Sequence, residues 1–212
     1  MWTYILGFTP MSSGYLCMNR KQAVYVLILF AHIVSCSSTK KLALQPGCTL
    51  QYDLVANQKS LRVDVKLLES SPKWKFDYVI QEDNLAAQLS SSSRAVKSST
   101  ELYHNFNGSD KMLNSSTALR LSDSTFQSLK NGDSAEISYR IGFVKNTYAY
   151  RVVENQKIKI LINGKQRPLN VLYIEDLSDK SLALWVWDNP TTPLIFRHNL
   201  GYEMVINQMY IP

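Results

Sequence analysis

Trp74-Lys75-Phe76-Asp77-Tyr78-Val79 sets large apolar side chains against charged ones, and Leu61-Arg62-Val63-Asp64-Val65-Lys66 does the same a few residues upstream. A period of two marks extended strands that bury one face and wet the other. Val79 breaks the rule. It is an apolar residue on the face that Lys75 and Asp77 make polar.

Outward from this stretch the same alternation returns. Ile137, Tyr139 and Ile141 alternate with Ser138, Arg140 and Gly142. Further candidate strands cover 49–56, 100–106, 116–121, 147–154, 157–162, 168–176, 181–187, 193–198 and 202–211. Turn residues separate most of them, so the chain is expected to be all-β: an antiparallel sandwich or partly open barrel of about ten to twelve short strands. Glu154-Asn155-Gln156-Lys157 is read as the break between two of these strands. Asn163-Gly164 supplies the two left-handed conformers of a tight hairpin, so 147–174 should form a meander. One short helix is predicted at about 122–131, capped by Ser122 or Asp123 and stopped by Asn131-Gly132. Ser90-Ser91-Ser92-Ser93 and the residues up to Thr100 read as a solvated connector, with a mobile flap as the alternative.

The 212 residues are 45% hydrophobic and 19% charged, which suits one core and excludes a wholly disordered chain. Eight Gly, seven Pro and three Cys exclude collagen repeats and a disulfide-dense mini-fold. The formal charge of +6 is too thinly spread for a nucleic-acid partner.

Near the N-terminus, Asn19-Arg20-Lys21 precedes an apolar run from Ala23 to Ile33, followed by Val34-Ser35-Cys36. That is the charged, apolar and small-residue layout of a secretory signal, and the apolar run is too short to span a bilayer permanently. Ile33-Val34-Ser35-Cys36 resembles the lipobox of bacterial lipoproteins. The resemblance implies cleavage before Cys36, thioether lipidation of its sulfur and acylation of the new amino group. Residues 1–35 would then be a signal peptide with its true start at Met11 or Met18. Residues 36–47 would be a lipidated tether, and 48–212 a single extracytoplasmic β-domain. Two or three acyl chains hold a protein at a bilayer essentially irreversibly. By analogy with the sorting rule of enteric bacteria, Ser37 favours the outer membrane, facing the periplasm or the surface. The alternative is a signal cleaved elsewhere with Cys36 an ordinary cysteine, and a Cys36–Cys48 disulfide is the rival if lipidation fails. Cys48, after the Pro46-Gly47 turn, reads as structural because nothing nearby in the sequence supplies a base to activate it.

Little catalytic chemistry is written in the chain. His104 and His198 stand 94 residues apart without the spacing of a zinc motif, so neither a metal site nor a cofactor is expected. Asp133-Ser134-Ala135 matches the D-[ST]-[GA] tripeptide of aspartic proteases, but it follows Lys130-Asn131-Gly132 rather than an apolar strand and has no second copy. Asn107-Gly108-Ser109 and Asn114-Ser115-Ser116 are chance matches to the glycosylation sequon.

At the C-terminal end, Trp185-Val186-Trp187-Asp188-Asn189-Pro190-Thr191-Thr192-Pro193-Leu194, followed by Gly201-Tyr202, resembles the last strands of an uncharacterised family of secreted, β-rich bacterial envelope proteins. Pro46-Gly47 with Leu50 and Tyr52 is similar to their first strand. This implies the fold and the envelope address and lends no catalytic residue.

The expected function is therefore that of a non-enzymatic envelope lipoprotein, a binding or scaffolding module anchored to the membrane through lipid on Cys36. Its partner would be an envelope protein or a glycan. Val79, Trp185 and Trp187 are the candidate ligand-binding residues, since a groove needs apolar side chains that point away from the core. The alternatives are a carrier of an apolar ligand or lipid, a cell-envelope hydrolase using Asp133 or a histidine with a neighbouring serine, and a structural subunit that presents an edge strand to its neighbours.

Overall fold

The computed structural model describes residues 42–56, 58–141 and 144–212. The expected signal peptide, Cys36 and the tether up to Lys41 lie outside the described residues. Ala43–Pro212 forms one unit. The chain runs β1 (Thr49–Ala56), β2 (Lys59–Glu69), β3 (Trp74–Ile80), β4 (Leu85–Ser91), α1 (Ser93–Ser98), β5 (Glu101–Leu102), β6 (Lys111–Leu113) and β7 (Ser116–Thr117). It continues with α2 (Asp123–Lys130), β8 (Ala135–Ile141), β9 (Val144–Ile162), β10 (Lys165–Asp176), β11 (Ala183–Trp187), β12 (Ile195–Asn199) and β13 (Glu203–Tyr210).

The all-β architecture expected from the alternation is present, as one sheet of 13 strands in the order β6-β4-β3-β2-β1-β13-β12-β11-β10-β9-β8-β5-β7. Most neighbours are antiparallel, and the pairs β4–β6, β5–β7, β5–β8 and β9–β13 are parallel. The two ends of the order, β6 and β7, are separated in sequence by Asn114 and Ser115 alone, so one short segment joins both ends of the sheet. A second closure comes from the tip of β9, where Leu161 and Ile162 pair with Gln208 and Met209 of β13 beyond the point where β12 leaves off. Both devices consume backbone donors and acceptors that an open edge would offer to other chains. The terminal strands of the described sheet are three and two residues long.

The predicted inward faces are buried. Trp74, Phe76, Tyr78 and Ile80 pack with Val63, Val65 and Leu67 and with Leu50, Tyr52 and Leu54. A further cluster joins Phe126 and Leu129 of α2 to Ile137, Tyr139, Tyr150, Ile174, Leu184 and Val186. Each such side chain contributes about 1.5–3 kcal/mol when taken out of water. Tyr52 satisfies its hydroxyl by donating to the Ile195 carbonyl at 3.2 Å.

The helix at 122–131 forms as read. Ser122 accepts from the Thr125 N–H at 3.3 Å, and Gly132 takes a φ of +91° just past the end. Two features differ from the sequence reading. Residues 154–157 do not break the chain: β9 runs through them as one 19-residue strand. The register slips there instead, since Tyr173 faces Glu154 while Ile174 faces Val152. Polar side chains marked a bulge rather than a turn. The serine run is likewise not a connector. Ser91 is buried at the end of β4, and Ser92 caps α1 through the Ala95 N–H while its own hydroxyl donates to the Asn114 carbonyl. Ser99 donates to the Ser115 carbonyl at 2.5 Å. These serines hold the segment that joins the ends of the sheet. The connector and its flap alternative give way to a second helix because short hydroxyls bond backbone as readily as water.

Candidate functional site

The outward faces of β1, β2 and β3 build the groove. Because antiparallel partners lie side by side, register converts residues scattered over 160 positions into rows. One row runs Gln208, Gln51, Asp64, Val79 and Ala86, and the next runs Tyr210, Thr49, Lys66, Asp77 and Gln88. The polar members are tied together. Gln208 Nε2 donates to Gln51 Oε1 at 3.0 Å, and Gln51 Nε2 donates to Asp64 Oδ1 at 2.8 Å. Gln81 Nε2 donates to Asp64 Oδ2 at 2.6 Å, and Gln88 Nε2 donates to Asp77 Oδ1 at 2.8 Å.

The far wall is the β9–β10 turn. Asn163 and Gly164 take φ of +50° and +74°, the left-handed pair that a two-residue hairpin requires. The Asn163 side chain then clasps the C-terminal tail, donating to the Ile211 carbonyl at 2.7 Å and accepting from the Ile211 N–H at 2.8 Å. Between this turn and the rows lies a groove of about 750 Å³ that includes Val79, Asp64, Asp77, Lys66, Gln208 and Tyr210 in its lining. That volume falls in the range of small-molecule sites. Its chemistry is that of acceptors and donors fixed in place beside small apolar areas.

Val79 therefore sits half-buried in a groove, where an apolar side chain on a polar face contacts whatever enters. The two tryptophans do not join it. Trp187 is 5% exposed and stacks on Phe196 with ring centres 5.8 Å apart, as a core residue. Trp185 lies half-buried on the outer side of β11, in contact with Tyr173 at 4.7 Å and with the Arg197 guanidinium at 4.7 Å. Its indole N–H donates to Gln156 Oε1 at 3.1 Å. The signal that could have found the Gln51–Asp64–Gln208 row in the sequence is the polar half of each alternating strand, which pattern reading discards as solvated.

The histidines meet although the sequence separates them. Their ring centres lie 6.5 Å apart, and Tyr202 packs 4.9 Å from His198 and 5.5 Å from His104. Burial, together with the neighbouring His104, pushes the His198 imidazole down to about 3, so the ring is neutral at neutral pH. Burial lowers His104 as well, against a raising interaction with the Arg140 backbone. No serine lines the cavity between them. Asp133 is exposed in the turn after α2, where its N–H bonds the Ser128 carbonyl at 3.1 Å. Cys48 is buried, and burial raises its thiol despite the Gln45 N–H that points at the sulfur. Among the described residues no three His, Cys, Asp or Glu side chains converge on one point. Compared with protein-family models, curated proteins and solved structures, the chain matches none.

Proposed function

We propose that this chain is a lipid-anchored binding module of the bacterial cell envelope, held at the outer membrane through Cys36, and that it takes a glycan in the groove beside Val79. The observation that supports this reading is the pair of cross-strand rows. Amides and carboxylates stand side by side at strand spacing in those rows, and Val79 and Tyr210 offer apolar area beside them. Sugar hydroxyls donate to carboxylates and exchange bonds with amides, and sugar C–H faces pack on apolar side chains. Because Gln51, Gln208 and Asp64 already hold each other, little side-chain freedom remains to be lost on binding.

The test is retention of the detergent-extracted protein on immobilised neutral and amino-sugar oligosaccharides. Wild type should be retained, while Val79→Glu and Asp64→Ala should lose about tenfold or more in affinity, the equivalent of one to two hydrogen bonds or one desolvated contact. Retention of both variants at wild-type strength, or of no sugar by wild type, refutes the reading. Intact mass of the same preparation reports the anchor separately: cleavage before Cys36 with added lipid is expected, and cleavage elsewhere without lipid overturns that half.

A further inference from the structure

His198 is 3% exposed, and among the described residues the Tyr202 backbone is the one polar group that approaches its ring nitrogens. His104 Nδ1 and the Tyr103 hydroxyl are buried without a hydrogen-bond partner among the described residues. Buried polar atoms are nearly always satisfied, so incompletely satisfied side chains on three residues that line one cavity call for an occupant. They border a cavity with about 10 Å³ of free space for the centre of a water-sized particle, which is room for one. Met204 borders it too. It is the cross-strand partner of His198, so the two side chains rise side by side from the same face.

We propose that this cavity is a binding site for a single soft monovalent d¹⁰ cation, copper(I), held by His104, His198 and the Met204 thioether. Size, donor set and charge agree. Two imidazoles on opposite sides of one ion, with metal–nitrogen bonds of about 2 Å, place their ring centres roughly 6 Å apart, and the observed separation is 6.5 Å. Imidazole and thioether together are the ligands that select copper(I) over harder ions. The cavity lining carries no carboxylate or thiolate, and Leu102, Phe106, Leu119 and Ile195 close it in apolar surroundings. A single positive charge is the least costly to desolvate there, and zinc(II) would lack both its fourth ligand and its neutralising anions. Access is through an adjoining pocket of about 450 Å³ that shares Leu102, Tyr103, His104 and Leu200 with the cavity and opens beside Gly201.

The site is independent of the groove and of the anchor, and its test uses copper(I) alone. The full-length protein is titrated without oxygen against a chromogenic copper(I) chelator. The expected result is one copper(I) per chain, with affinity reduced at least about 100-fold in His198→Gln and about tenfold or more in Met204→Leu, and unchanged in Cys48→Ala. Met204→Leu conserves volume, so the test survives if the histidine variant fails to fold, and circular dichroism reports that separately. X-ray absorption of the loaded protein should show nitrogen and one thioether sulfur around copper. Three outcomes overturn the proposal: no copper(I) held by folded wild type, wild-type affinity in both His198→Gln and Met204→Leu, or loss of binding in Cys48→Ala.

Discussion

Acid should unfold this domain through His198, and the size of the effect follows from the position of the ring. In the unfolded chain an imidazole titrates near 6.5, whereas burial beside His104 holds it at about 3 in the fold. The unfolded state therefore binds a proton that the native state refuses. Stability from this group is complete above pH 6.5 and falls by about 1.4 kcal/mol for each pH unit below it, until the folded value is reached. Between pH 6.5 and 4.5 the loss is about 3 kcal/mol from His198 alone. His104, lowered by its own burial, adds to the loss in the same direction. The window is clean at its acid end. Asp176 is raised by burial but lowered further by hydrogen bonds from Ser178 and Asp179, so its contribution is present above 3.8 and disappears only below that pH. Chemical denaturation followed by tryptophan fluorescence at pH 7, 5.5 and 4.5 measures the slope in wild type and in His198→Gln. The variant should be less stable at pH 7 yet flatter with pH. Equal slopes in the two proteins would show that His198 is already protonated in the fold and refute the reasoning.

Three further outcomes are expected. Arg120, 1% exposed, lies 5.6 Å from the Trp74 ring and bonds the Leu121 carbonyl at 3.0 Å and Asp123 at 2.5 Å. Asp123→Asn should then cost about 2 kcal/mol by leaving a buried cation without its anion, whereas Arg120→Met should lie within about 1 kcal/mol of wild type, both read from denaturant midpoints. Asn163→Ala removes both bonds to Ile211 and places a Cβ-bearing residue without a local hydrogen bond at a φ of +50°, so it should cost about 2 kcal/mol and expose the C-terminal tail to carboxypeptidase. Trp187→Ala should cost about 3–5 kcal/mol because it empties a stacked core position, while Trp185→Ala should cost well under half of that; melting temperatures rank the two.

Why the strands were legible and their joins were not is a matter of range. The alternation at 61–66 and 74–79 is local: each residue's burial follows from its neighbours two positions away, and the observed faces agree. The Asn163-Gly164 hairpin is equally local, because two left-handed residues specify it unaided. The bulge near 153 is different. It exists because β10 slips by one residue against β9 over a curved sheet, and nothing within four residues of Glu154 distinguishes that from a turn. The serines at 91, 92 and 99 failed for a related reason. Their partners, Leu113, Asn114 and Ser115, matter only because the sheet ends meet there.

The same argument governs the sites. A β-sheet gathers function across strands, so the informative spacing is the register offset rather than the distance along the chain. Val79 could be picked out as apolar on a polar face from its own strand. Its value as a groove residue depends on Asp64 and Gln51 standing in the same row, and Gln51 is joined to Gln208 across 157 residues. The two tryptophans show the converse. Two residues apart on one strand they would share a face by the alternation, yet Trp187 is buried against Phe196 while Trp185 lies against Tyr173 and Arg197, and the β11–β12 register slips between Trp185 and Val186. The spacing of His104 and His198 along the chain argues against a metal pair, but that criterion suits helices and zinc loops. In this sheet the tight Leu200–Tyr202 turn sets Met204 opposite His198, and the segment carrying His104 packs against Tyr202, whose hydroxyl bonds the His104 carbonyl at 2.7 Å. A test of spacing suited to β-folds would therefore ask which residues share a ladder position, and by that test His198 and Met204 are immediate neighbours.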